Sequence, residues 1–325
     1  MPDELHDQLT KYLADAHSIE VQALAQLRTA PDLAGDSQIS QMFRDHLVET
    51  ESHERITREL LDARDASPSK LKDTVMSVGG KGFLLFARLN PDTPGKLFAH
   101  ALSYEALELA SYELLARVAQ RADEQDIVDA ATRIRDDERA MTERLQSAID
   151  NAYHASQDAH PRDDAEKLLP KYVADAHAIE EQSIQLLAKA PGMIEDAQLE
   201  SVFSDHLAET QDQAELIAAR IDAVAGDSPN RLQDAVMRLG ALNWGLFFQS
   251  QPDTPGKLAA FAYAFEYLEI GGYELLRRHA AAVGDEQTVA AVETILPQER
   301  AAAERLSRAF DSAAGASLRA IGLAV

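Results

Sequence analysis

The sequence predicts an all-α protein built as two tandem four-helix bundles, and three observations predict it. Apolar residues recur at alternating gaps of three and four through long stretches, which marks one face of an α-helix. The apolar/polar alternation of half-buried strands is absent, and β-branched residues are sparse. The second half of the chain repeats the first. Residues 12–20 (YLADAHSIE) return as 172–180 (YVADAHAIE), and residues 43–50 (FRDHLVET) return as 203–210 (FSDHLAET). Residues 91–96 (PDTPGK) return unchanged as 252–257, and Glu138-Arg139 and Glu143-Arg144-Leu145 return as Glu299-Arg300 and Glu304-Arg305-Leu306. The unit is a whole domain, too long for a solenoid repeat, and predicts domains at residues 1–153 and 154–325.

In the first copy the opening helix spans about residues 4 to 29, with the stripe Leu9, Leu13, Ala16, Glu20, Leu24 and Leu27, and Pro31 and Gly35 end it. Ser37 is the predicted N-cap of a second helix that runs to about Ala63. Residues 67–69 (SPS) open a short helix that ends near Gly79-Gly80, followed by an apolar piece at residues 83–89 and a breaker-rich turn at residues 90–95. The third helix runs from about Lys96 to Arg121, and the fourth from about Glu124 to Ala152. The polar stretch 151–164 (NAYHASQDAHPRDD) reads as the interdomain linker. Short turns join helices one and two and helices three and four, so each pair forms an antiparallel hairpin. The segment between Ala63 and Lys96 is long enough to return along a helix and start the third from the other end. Two hairpins with one long crossover is the ferritin-like arrangement.

The second helix carries His46, Glu49 and His53 in its core stripe, between Met42 and Ile56. Burying such groups is costly unless something pairs with them. The other helices place carboxylates in their own stripes: Glu20 on the first, Glu105 and Glu108 with Tyr112 on the third, and Glu138 on the fourth. Isolated buried carboxylates repel one another and take up protons, whereas a pair of divalent cations removes that cost. The predicted ligands are Glu20, Glu49, His53, Glu108 and Glu138, with His46 and Glu105 as reserves or groups that bond the ligands from behind. Oxygen-rich, thiolate-free ligation suits iron or manganese, two ions in the first domain, and also admits zinc.

The second copy keeps Glu180, Glu209, Glu269 and Glu299 as ligand candidates and His206 and Glu266 as reserves. There His53 has become Gln213, a weak neutral ligand, and Pro297 is expected to kink or break the fourth helix beside Glu299. The site of the second domain therefore reads as degenerate. Against the metal reading, a lone helix glutamate normally faces solvent. Tyr112 and Tyr273 read as core residues whose hydroxyls bond a buried carboxylate, and Glu51, Glu54 and Asp137 as surface charge.

These residues resemble the YciF-like family of ferritin-like bacterial stress proteins. The resemblance rests on Asp15-Ala16-His17 through Glu20-Val21-Gln22, on His46-x-x-Glu49-Thr50-x-x-His53, on Glu105-x-x-Glu108-Leu109-Ala110-x-Tyr112 and on Asp136-Asp137-Glu138. It covers each copy almost end to end. It implies a four-helix ferritin-like bundle, often paired into dimers, with a dinuclear metal site and a part in stress responses. The tandem fusion points to a covalent pseudo-dimer and leaves room for further assembly as a homo-oligomer. Residues 315–323 (GASLRAIGL) are similar to the docking tails of encapsulin cargo, a frayed terminus being the plainer reading.

Composition narrows the alternatives. A net charge of −24 repels nucleic-acid phosphates and anionic lipid, so neither nucleic acid nor a membrane is an expected partner. Cysteine is absent, which excludes disulfides and thiolate ligands and fits a reducing compartment. No apolar run approaches the roughly 20 residues that span a bilayer, the N-terminus lacks signal-peptide character, and a cytoplasmic location is expected. Two functions from different classes remain: a non-haem metal protein with oxygen or peroxide chemistry, and a metal-free interaction module whose buried Glu, His and Tyr bond one another.

Overall fold

The computed structural model describes residues 2–66, 93–159, 165–224 and 254–323, and among them every regular element is helical. The first unit contains α1 (Pro2–Leu27), a one-turn α2 (Ala30–Leu33), α3 (Ser37–Asp62), α4 (Thr93–Arg121), α5 (Gln125–Ser147) and α6 (Ile149–Asp158). The second contains α7 (Ala165–Leu187), α8 (Ala197–Val224), α9 (Thr254–Val283) and α10 (Glu286–Ala320), with a 3-10 turn at Ala190–Gly192. The chain divides into two compact units whose bodies are residues 1–159 and 160–321.

The turn between α1 and α3 depends on two residues. Gly35 adopts φ +68°, and a Cβ there would lie 3.0 Å from Pro94 and 3.2 Å from Ala155, so both the backbone angle and the space call for glycine. Asp36, not Ser37, caps α3, accepting hydrogen bonds from the backbone N–H groups of Gln38 and Ile39 at 2.9 Å.

Cross-helix contacts set the directions. His17 bonds Thr57 while Ser40 bonds the Pro31 carbonyl, so α1 and α3 are antiparallel. The Tyr104 hydroxyl donates to the Ile19 carbonyl and the Tyr112 hydroxyl to Glu20, each α4 residue meeting α1 from the side. Arg64 pairs with Glu124, Arg144 with Glu49 and Asn151 with Gln38, which runs α5 and α6 antiparallel to α3. In the second unit Arg220 pairs with Asp285 and Arg305 with Glu209, giving α8 and α10 the same relation. The crossover itself, with the helix predicted after residue 67 and the apolar piece at 83–89, lies outside the described residues. Residues 93–95 of the expected turn form the first turn of α4, where a proline is tolerated because its missing N–H had no helical partner.

Three expectations are corrected. The stretch read as a linker is helical through Asp158: Ile149, Ala152, Tyr153 and Ser156 are buried at i, i+3, i+4 and i+7, and α6 packs on α4. Pro297 does not break α10, which continues to Ala320 with Ile295, Leu296, Glu299 and Ala302 buried around the proline. The residues read as a docking tail are not a free segment. Gly315, Ala316, Ser317 and Leu318 are buried in α10, and the Ser317 hydroxyl accepts from the Gly256 N–H at 2.6 Å. Among the described residues no helix is long and apolar enough to cross a membrane.

Candidate metal centre

Four helices of the first unit converge on one polar cluster within an apolar bundle. Each brings its residue from within the helix and away from its ends, where neighbouring helices exclude water. Glu20 from α1, His46 from α3 and Glu138 from α5 are fully buried, and His53, Glu105 and Glu108 nearly so. His46, Glu105, Glu108 and Glu138 each offer a ligand atom, all within 4.8 Å of one another, and Glu20, His53 and Glu138 form a second such group. Glu138 belongs to both. Its Oε2 lies 3.4 Å from His46 Nε2, and its Oε1 lies 2.8 Å from His53 Nδ1.

These close approaches are not hydrogen bonds. His46 Nε2 is 2.9 Å from Glu105 Oε2, yet both atoms lack an aligned hydrogen-bond partner. So do His53 Nδ1, Glu20 Oε2 and both oxygens of Glu108 and of Glu138. Buried polar atoms are normally satisfied, so a knot of unsatisfied ones marks a place for another group. The donor set, four carboxylates and two imidazoles turned towards a common space, fits divalent cations.

Each histidine is held from behind. His46 Nδ1 bonds Glu49 at 2.9 Å and His53 Nε2 bonds Asp137 at 3.2 Å, leaving the other ring nitrogen inward. Such outer carboxylates fix the tautomer and orientation of metal-ligating histidines. Arg144 in turn donates to Glu49 at 2.7 Å. Two of the candidate residues lie differently from each other. Glu49, expected as a ligand, has a side chain 37% exposed and bonds His46 and Arg144 outside the cluster, whereas His46, expected as a reserve, points into it. Glu105 likewise joins the cluster. Asp137, read as surface charge, orients His53. The signal for Asp137 was its place beside Glu138, and that for Arg144 its return as Arg305.

The electrostatics show what the cluster costs without a cation. Burial, and then the neighbouring Glu138, push the Glu20 carboxyl up to about 8. Burial raises Glu105 to about 7 even though His46 opposes it, and raises Glu108 well above the carboxylate range. Burial alone would depress His46, but Glu105, Glu49 and Glu138 outweigh it and hold the ring well above its usual value. Glu138 is lowered, because His53 and His46 outweigh the burial that would raise it. Tyr112 donates to Glu20 Oε1, as expected for a core tyrosine, and leaves Oε2 to the cluster. A cavity of about 20 Å³ abuts Glu105 and Tyr104, with Ala23, Leu27, Phe43 and Leu97 on its apolar wall.

The second unit keeps the frame and changes the detail. Glu266, Glu269 and Glu299 present ligand atoms within 4.8 Å of one another. Tyr273 donates to Glu180, repeating Tyr112 on Glu20. His206 Nε2 bonds Glu266 at 2.6 Å, and its Nδ1 lies 3.9 Å from Glu209. Glu209, expected as a ligand, pairs with Arg305 outside the cluster, as Glu49 does with Arg144. Where the first unit has His53 on Asp137, the second has Gln213 donating to Gln298 at 3.0 Å.

A family described as a domain of unknown function, DUF892, matches residues 4–157 and again residues 164–319. This chain belongs to that family. The family is YciF-like, as the sequence motifs indicated, and the double match makes the chain a tandem pair of its domains. No solved structure matches the chain.

Proposed function

We propose that the first unit is a ferritin-like carboxylate site for two ions of iron or manganese, zinc being a further occupant, and that the protein serves in oxidative or metal stress. One observation carries the reading. Glu138 is fully buried, neither of its oxygens is hydrogen-bonded, and the two face different histidines. A carboxylate so placed would serve two cations. His46, Glu105 and Glu108 would hold one of them with it, and Glu20 and His53 the other. When bound, such ions supply Lewis acidity and redox exchange with oxygen or peroxide. The chain's own residues orient and shield. Glu49 and Asp137 hold the imidazoles, Tyr112 keeps a hydroxyl proton on Glu20, and the apolar helix faces exclude bulk water. The cavity beside Glu105 has room for about one water-sized molecule, which favours a small uncharged co-substrate.

A second reading, the metal-free network, is favoured by one observation in the second unit, where His206 bonds Glu266 directly. Metal content decides. Chain purified without affinity tag or chelator is analysed by elemental mass spectrometry, beside Glu138→Ala. Iron or manganese in the wild type, reduced by two ions per chain in the variant, is the expected result. Protein that carries no ion and takes none from anaerobic ferrous or manganous solution would leave a helical scaffold and end the redox reading.

A further inference from the structure

We propose that the second unit binds a single hard divalent cation at Glu266, Glu269 and Glu299, so that the chain holds three ions in unlike sites. The inference rests on the dinuclear reading of the first unit and extends it position by position.

In the first unit one ion position is built from Glu105, Glu108, Glu138 and His46, and the other from Glu20, His53 and Glu138. The carboxylates of the first position all persist as Glu266, Glu269 and Glu299. Their ligand atoms converge within 4.8 Å, and all three side chains are at most 2% exposed. Both oxygens of Glu269, both of Glu299 and Oε2 of Glu266 lack an aligned hydrogen-bond partner. Five unsatisfied carboxylate oxygens in a dry bundle are the same signal as in the first unit. The His206–Glu266 bond occupies only Oε1 and so orients that carboxylate without using the atom left to the ion.

The second position keeps Glu180, whose Oε2 is buried and unsatisfied, but has lost its nitrogen ligand. Its imidazole is replaced by Gln213, whose Oε1 is buried and unsatisfied but neutral. The outer carboxylate that would strengthen a donor there is also gone, since Gln298 stands where the first unit has Asp137. Ligand and supporting partner changed together, and what remains is a hydrogen bond between two amides. An oxygen-only site of three carboxylates suits a hard ion such as manganese better than zinc, which the imidazole-bearing first unit accommodates.

The test loads the full chain with Mn²⁺ under anaerobic conditions and reads ion count by elemental mass spectrometry and spin state by electron paramagnetic resonance. Three ions per chain are expected, with an exchange-coupled pair superposed on an isolated six-line signal. Glu269→Gln should lose one ion and the isolated signal. Glu138→Ala should lose two ions and the coupled signal. Gln213→His with Gln298→Asp should raise the count from three to four and add a second coupled pair. Helical circular dichroism checks that each variant folds, and the wild-type count stands without any of them. Two ions, both lost in Glu138→Ala, would show the second unit empty and overturn the proposal while the first-unit reading stands. Four ions in the wild type would also overturn it. No ion at all would overturn both readings.

Discussion

His53 on Asp137 in the first unit and Gln213 on Gln298 in the second occupy the same place between paired helices. Each is a hydrogen bond from a buried side chain on α3 or α8 to a partly or fully exposed one on α5 or α10. What differs is the inward atom: an imidazole nitrogen in one copy and an amide oxygen in the other. The bundle needs the bond, because an unpaired buried polar group costs about 1–3 kcal/mol, but it does not need the imidazole. The comparison separates what the fold demands from what the site demands, within one molecule and under one set of conditions.

The largest expected contrast is between Glu138→Ala and Glu299→Ala. The first should abolish both ion positions of its unit, and the second the single position of its own. Elemental analysis of the two variants and of their combination should give losses of two, one and three. Equal losses would erase the difference between the copies.

Next in size is the response to pH of protein stripped of metal. Glu20 and Glu180 are both held near 8 and Glu105 near 7, burial being the first cause in each. His206 is raised to about 9, where Glu266 outweighs the burial that opposes it. Each folded-state value exceeds the unfolded one, so the folded chain binds these protons more tightly. The stability they contribute is full below the unfolded values and is lost progressively as pH rises from about 4.5 for the carboxyls, or 6.5 for His206, to the folded values of about 7 to 9. Glu49, lowered to about 2, has the opposite sign, but its window lies below about 4.5. From pH 5 to 8 the thermal midpoint of metal-free protein should fall by on the order of 5–10 °C. With Mn²⁺ bound it should rise over the same interval, because the cation takes the place of the protons. Parallel curves with and without metal would refute binding at these groups.

Glu49→Gln against Glu209→Gln sharpens the comparison at smaller scale. Glu49 lies 2.9 Å from the His46 ring, whereas Glu209 lies 3.9 Å from His206. Loss of an outer carboxylate typically weakens metal binding about 10–100-fold. That loss is expected for Glu49→Gln in Mn²⁺ titrations, with a change of less than about tenfold for Glu209→Gln.

These residues also show how far the sequence could be read. The helices, their hairpin pairing and the need for a crossover follow from periodicity and segment length, as do the four buried carboxylates of the first unit. Periodicity does not distinguish the centre of a stripe from its edge. At about 100° per residue, His53 sits some 20° from His46 around α3, while Glu49 sits some 60° away. That is enough to turn Glu49 out towards Arg144, which no local pattern on α3 reveals. On α4 the same separation leaves both Glu105 and Glu108 inside, because that helix is covered on more sides. The buried face of α6 was missed because alanine, serine and one tyrosine make a faint stripe inside a polar stretch.

The smallest expected effect concerns Pro297, which stands where the first unit has Asp136. A proline inside a helix lacks the N–H that would bond the carbonyl four residues back, and host peptides put the penalty near 3 kcal/mol relative to alanine. Helix α10 nevertheless runs on, since Ile295, Leu296, Glu299 and Phe310 are buried in the bundle and hold the backbone on either side. Part of the penalty is offset in the unfolded chain, where proline has fewer conformations to lose. Pro297→Ala should therefore stabilise the second unit by only about 1–2 kcal/mol, a rise of roughly 2–8 °C in its thermal midpoint. Its ion count should not change, because Glu299 already faces the cluster with the proline in place. A gain of an ion on this substitution alone would mean that backbone strain at Pro297, and not the Gln213–Gln298 pair, sets the two copies apart.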